Sequence, residues 1–131
     1  MGHTRILIVE DHEPDRRLVR DVLRVTGYET MESETAEAGL QLAREFKPAL
    51  ILMDIELPGM SGIEALSHLR ANPETQFIPV IAVTASTMTH TRQQILAAGF
   101  DGYQPKPIEV KAFLEAVRQM LDRPPGREAA S

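Results

Sequence analysis

Residues 50–62 read LILMDIELPGMSG. Leu50, Ile51, Leu52 and Met53 form a short apolar run with no polar alternation, the pattern of a strand buried on both faces. Asp54 ends the run, and Pro58-Gly59 follows as a turn. Burial penalises the charge of a carboxylate, so an acid at the tip of such a strand needs a local counter-charge or a chemical use.

Two runs of the same kind lie at residues 6–9 and 80–83, each bounded by polar or turn residues. Weaker strands are predicted at 28–32 and near 102–104. Helical patterns fill the intervals. Leu18, Val22 and Val25 recur at helical spacing after Pro14, a first-turn proline. Ala36, Leu40 and Ala43 do the same before Pro48. Ile63, Leu66 and Leu69 follow Ser61, which has capping-box spacing to Glu64. A fourth helix is predicted at about residues 89–98, stopping at Gly99. The fifth carries Val110, Phe113, Leu114, Val117, Met120 and Leu121. Strand and helix alternate five times, which predicts an α/β fold: a five-stranded parallel sheet with helices on both faces. Such a unit commonly takes the strand order 2-1-3-4-5, with its ligand site at the carboxyl ends of strands 1 and 3.

The bulk numbers fit this reading. The chain has 131 residues, the size of one domain, and no cysteine, so neither a disulfide framework nor thiolate chemistry is available. Its net charge of -5 and the absence of a Lys/Arg-rich block argue against direct nucleic-acid binding. No apolar run approaches the roughly 20 residues of a membrane helix, and MGHTR leads straight into a strand, so a cytoplasmic protein is expected. The domain is expected over 1–121, and the tail 122–131, DRPPGREAAS, reads as a flexible end or linker stub.

On this topology the polar strand ends share one rim: Glu10 and Asp11 after strand 1, Asp54 after strand 3, Thr84 at the end of strand 4 and Lys106 after strand 5. Three acids placed together repel, so a hard divalent cation such as Mg2+ and the Lys106 ammonium are the expected offsets. A carboxylate in such a setting can act as a nucleophile toward phosphorus, with cations and donors around the transferred oxygens. Asp54, central on the rim, is the predicted nucleophile.

ILIVEDH at 6–12, LILMDIELPGMSG at 50–62, VIAVTAS at 80–86 and GYQPKPI at 102–108 together resemble a response-regulator receiver domain of two-component signalling, a flavodoxin-like fold. The resemblance covers about residues 5–121. It implies that Asp54 accepts a phosphoryl group from a sensor histidine kinase or histidine phosphotransfer protein. It also implies that Asp11, Asp54 and the Glu56 backbone carbonyl bind Mg2+, with Glu10 acting through a metal-bound water. Thr84 and Lys106 would bind the phosphoryl oxygens, and Tyr103 matches the switch aromatic. The fourth helix, fifth strand and fifth helix would then meet a downstream protein. Such a chain is a phosphoacceptor module rather than an enzyme, catalysing only its own phosphorylation and dephosphorylation. No output domain is read in this chain. The sequence departs from the family pattern in having Glu10 for the usual aspartate and Pro105 before Lys106. The family usually has a cis bond before the proline matching Pro107, and it tunes dephosphorylation at the positions of Glu56 and Ser86.

Other functions fit less well. A haloacid-dehalogenase-like phosphatase shares the aspartate nucleophile, but DIE at 54–56 imitates its D-x-D only loosely and the length leaves no cap domain. In a Rossmann-like nucleotide site, the first turn EDHEP has no glycine and its acids would repel a pyrophosphate. A phosphate-independent scaffold would not need the full acceptor set. Taken singly, each rim residue has an ordinary alternative: a turn acid for Asp54, a helix-dipole acid for Glu10 and Asp11, a capping hydroxyl for Thr84, a solvated Lys106 and a half-buried strand aromatic for Tyr103.

Overall fold

The computed structural model describes residues 4–85 and 92–122. Five strands alternate with five helices: β1 Arg5–Val9, α1 Glu13–Val25, β2 Glu29–Ser33, α2 Ala36–Phe46, β3 Leu50–Met53, α3 Gly62–Ala71, β4 Val80–Thr84, α4 Arg92–Ala97, β5 Gly102–Pro105 and α5 Val110–Leu121. All pairings are parallel, and the strand order is β2-β1-β3-β4-β5, as expected. The beginning of the predicted fourth helix, together with His3, Ser86, Met88, His90 and the tail from 123 onward, lies outside the described residues.

The pleat divides the apolar strands into two cores. Leu7, Val9, Ile51, Met53, Val80 and Ala82 face α2, α3 and α4, with Leu40, Leu66, Leu69 and Ile95. Ile6, Ile8, Leu50, Leu52, Ile81 and Val83 face α1 and α5, with Val19, Leu23, Phe113 and Val117. β1, β3 and β4 therefore read as continuous apolar runs because each is covered on both faces. β2 and β5 are edge strands and are only half-buried. Pro105 is tolerated there: it ends an edge strand, and the next N–H, that of Lys106, returns to the Thr84 carbonyl at 3.1 Å.

Local signals set the helix ends. Ser61 and Glu64 form the predicted capping box at the start of α3, with both reciprocal bonds present. Gly99 takes φ +114 just after α4, a conformation that suits glycine. At the other end of α3, Arg70 donates to the Gln76 and Ile78 carbonyls and to Asp101 at 2.8 Å; Asp101 also accepts the Val80 N–H. This pair ties the α3–β4 connection to the segment entering β5.

The packing face of α1 differs from the expectation. Leu18 and Val25 are 41% and 89% exposed, whereas Val19 and Leu23 are buried and Val22 is partly buried. Both sets of positions satisfy a helical period. Arg16 settles the rotation by donating to the Glu10 carbonyl at 2.9 Å and to Glu32 at 3.2 Å, which turns the Arg16–Val19–Leu23 face onto the sheet. Val110 likewise lies at the 40% exposed start of α5, and the buried stripe begins at Phe113. Leu23→Ala should therefore destabilise the protein by about 2–5 kcal/mol, while Leu18→Ala should cost under about 1 kcal/mol. Urea unfolding of the two variants checks this; equal losses would refute the assigned face.

Candidate functional site

The register brings the candidate residues together. Val9 pairs with Met53 across β1 and β3, so the residues that follow, Glu10 and Asp54, leave the sheet side by side. The Asp54 N–H bonds the Val9 carbonyl, and the Glu10 N–H bonds that of Ser33. Thr84 closes β4 opposite Pro105, which places Lys106 beyond the same edge. Glu10, Asp54 and Thr84 are buried, although all three are polar.

The Lys106 ammonium holds this edge. It lies 2.7 Å from Glu10 Oε1, 3.1 Å from Asp54 Oδ2 and 3.2 Å from Asp15 Oδ2. The remaining acceptors are also used: Glu10 Oε2 accepts the His12 N–H, and Asp54 Oδ1 accepts the Glu56 N–H. Burial pushes the Glu10 carboxyl from 4.5 up to about 7, helped by the Asp54 charge and opposed by the Lys106 bond. Burial also works against the Lys106 charge, but its bond to Glu10 and the charges of Asp54 and Glu10 outweigh this and raise its pKa. Asp15 is lowered despite some burial, because Lys106 and His12 both favour its charged form.

Glu10, Asp11 and Asp54 each offer a carboxylate oxygen, and these oxygens lie within 4.8 Å of one another. Hard oxygen donors of this kind fit a hard divalent cation such as Mg2+. Asp11 is exposed and opens the group to solvent; Glu56 is exposed two residues beyond Asp54. Tyr103 is half-buried on β5 and packs against the core on the α2–α3–α4 side. The Lys106–Pro107 bond is cis, as the resemblance implied.

Three contributors were missed in the sequence. Asp15 contacts Lys106 and His12, and Arg16 braces the Glu10 backbone. Their signal was positional: both fall in the first turn of α1, directly after the acidic pair. The third is Gly62. A Cβ there would stand 2.3 Å from the Asp54 carbonyl oxygen and 2.9 Å from Ile55 Cα, so only glycine lets α3 start against the strand end. Its N–H bonds the Ile55 carbonyl at 2.8 Å.

Gly62→Ala should displace the Asp54 backbone and lower stability by about 1–3 kcal/mol; an unchanged urea midpoint would refute the close approach. Between pH 4.5 and about 7, folded Glu10 keeps a proton that the unfolded chain has lost. Stability should thus fall as pH rises through that window, with divalent ions chelated. Glu10→Gln should flatten the slope; a slope equal to that of the parent would contradict the assignment to Glu10.

The comparisons agree with this geometry. The profile of the response regulator receiver domain matches residues 6–118. The polar-differentiation response regulator DivK of Brucella anthropi is 43% identical over 116 residues, covering 88% of this chain and 94% of that protein. A CheY-like receiver domain protein from Methanospirillum hungatei superposes with a TM-score of 0.82 at 31% identity, covering 92% of this chain and 95% of that one. The receiver domain of a sensor histidine kinase from Pseudomonas aeruginosa superposes with a TM-score of 0.86 at 26% identity, over 93% of this chain and all (100%) of that one; it carries a magnesium ion in its active-site cleft. With the fold, the strand-end cluster and a family match spanning nearly its whole length in agreement, the chain belongs to the response-regulator receiver domain family.

Proposed function

We propose that the chain is a phosphorylation switch in which Asp54 is the phosphoacceptor, and the observation that carries this reading is the buried Asp54 carboxylate held by Lys106 beside Glu10 and Asp11. Receiver domains are signalling modules that take phosphoryl groups from histidine kinases or phosphotransfer proteins, and a donor of that class is proposed here. An Asp54 oxygen forms a bond to phosphorus as the bond to the donor's histidine nitrogen breaks, and that nitrogen keeps the electron pair. Bound Mg2+ supplies positive charge to the phosphoryl oxygens.

The chain's own groups do the rest. Lys106 donates to a phosphoryl oxygen, and the Thr84 hydroxyl to another. Glu10, Asp11, Asp54 and the Glu56 carbonyl hold the cation, as the oxygen donor set allows. Hydrolysis of the aspartyl phosphate resets the module. Thr84 on β4 and Tyr103 on β5 link the site to the face formed by α4, β5 and α5, which is the proposed surface for a downstream protein. An open hollow of about 420 Å³ lies on that face, lined by Arg92, Tyr103, Gln104, Gln119 and Met120 among others. Among the described residues no helix is long and apolar enough to cross a membrane.

Intact-mass spectrometry after incubation with acetyl phosphate tests the reading. The parent should gain one phosphoryl mass only with Mg2+ present, and Asp54→Asn should gain none. The same gain in Asp54→Asn would place the acceptor elsewhere and sink the assignment.

A further inference from the structure

The Lys106 ammonium has three N–H donors, and three carboxylates occupy them: Glu10, Asp54 and Asp15. Until the bond to phosphorus forms Asp54 is still a carboxylate, so no donor is left for a phosphoryl oxygen and one contact must yield as the group approaches. The three are not equivalent. The side chains of Glu10 and Asp54 are 6% and 8% exposed; until the bond to phosphorus forms, stripping Asp54 of its ammonium would leave a buried charge, and stripping Glu10 would leave a buried carboxyl oxygen without its 2.7 Å partner. Asp15 is 31% exposed and makes the longest of the three contacts. It also has a second partner, since the same Oδ2 lies 2.9 Å from His12 Nδ1.

We infer that Asp15 is a positioning residue that holds Lys106 in the unphosphorylated state, competes with the incoming phosphoryl group for one of its N–H donors, and is released onto His12. Its place in the first turn of α1 lets it reach across the edge to Lys106 without belonging to the buried pair. The role is kinetic: Asp15 slows capture of the phosphoryl group, and His12 eases the release. This inference rests on the proposed role of Lys106 as a phosphoryl donor contact.

The test is the initial rate of phosphorylation by acetyl phosphate with Mg2+ in Asp15→Ala, His12→Ala, the double variant and Lys106→Ala. A partly exposed ion-pair contact corresponds to about a threefold change in rate, so Asp15→Ala should be faster by about that factor. His12→Ala should be slower than the parent, because Asp15 then has no second partner. The double variant should match Asp15→Ala, since His12 acts only through Asp15. An unchanged or slower Asp15→Ala, or additive effects in the double variant, overturns the inference while leaving the role of Lys106 intact. No uptake by the parent, or undiminished uptake by Lys106→Ala, overturns the underlying reading and this inference with it.

Discussion

The molecule depends on one ammonium group. Glu10 and Asp54 are buried side by side at the carboxyl edge of a parallel sheet, where two carboxylates repel and each loses its hydration. Lys106 lies within 3.1 Å of both and turns that repulsion into a network. The network is still short of positive charge, because Asp15 adds a third carboxylate to one ammonium and Asp11 stands beside them. That deficit makes the edge receptive to a divalent cation.

The scaffold delivers this arrangement through register rather than through loops. Parallel pairing of Val9 with Met53 and of Thr84 with Pro105 fixes four chain exits at one edge. Coverage of the sheet on both faces holds those exits still, since β1, β3 and β4 are buried almost throughout. Two close fits tune the result. Gly62 brings the start of α3 against the Asp54 backbone, and Arg16 anchors α1 to the Glu10 carbonyl and to β2. The charged edge and the two apolar cores thus constrain each other: the helix that buries Val19 and Leu23 is the one that carries His12's partner Asp15 to Lys106.

Much of this was legible in the sequence because burial on both faces writes itself as uninterrupted apolar runs. Leu50 to Met53 read as a strand, and the acid that follows it marked the edge where the polar cluster forms. The alternation of five strands with five helical patterns led to the observed order, because short right-handed crossovers leave few alternatives. The capping box at Ser61 and Glu64 was readable because its signal is local, as was the stop at Gly99.

What stayed hidden needed partners distant in sequence. α1 has apolar residues on adjacent stripes, so periodicity alone favoured Leu18 and Val25; the contacts of Arg16 with Glu10 and Glu32 chose Val19 and Leu23. Asp15 carried no signal in the sequence beyond its place in the first turn of α1, and only the fold put it 3.2 Å from Lys106. Gly62 was not singled out in the sequence, since the close approach that its missing Cβ allows is to the Asp54 carbonyl, eight residues earlier in the chain. The sequence by itself determined the fold class and the edge at which the acids and their lysine collect, since hydrophobic pattern and strand termini are properties of the chain. Only the tertiary structure decided which face of α1 is buried, which carboxylates share Lys106 and how closely α3 approaches Asp54, because those depend on distances between residues that the sequence holds far apart.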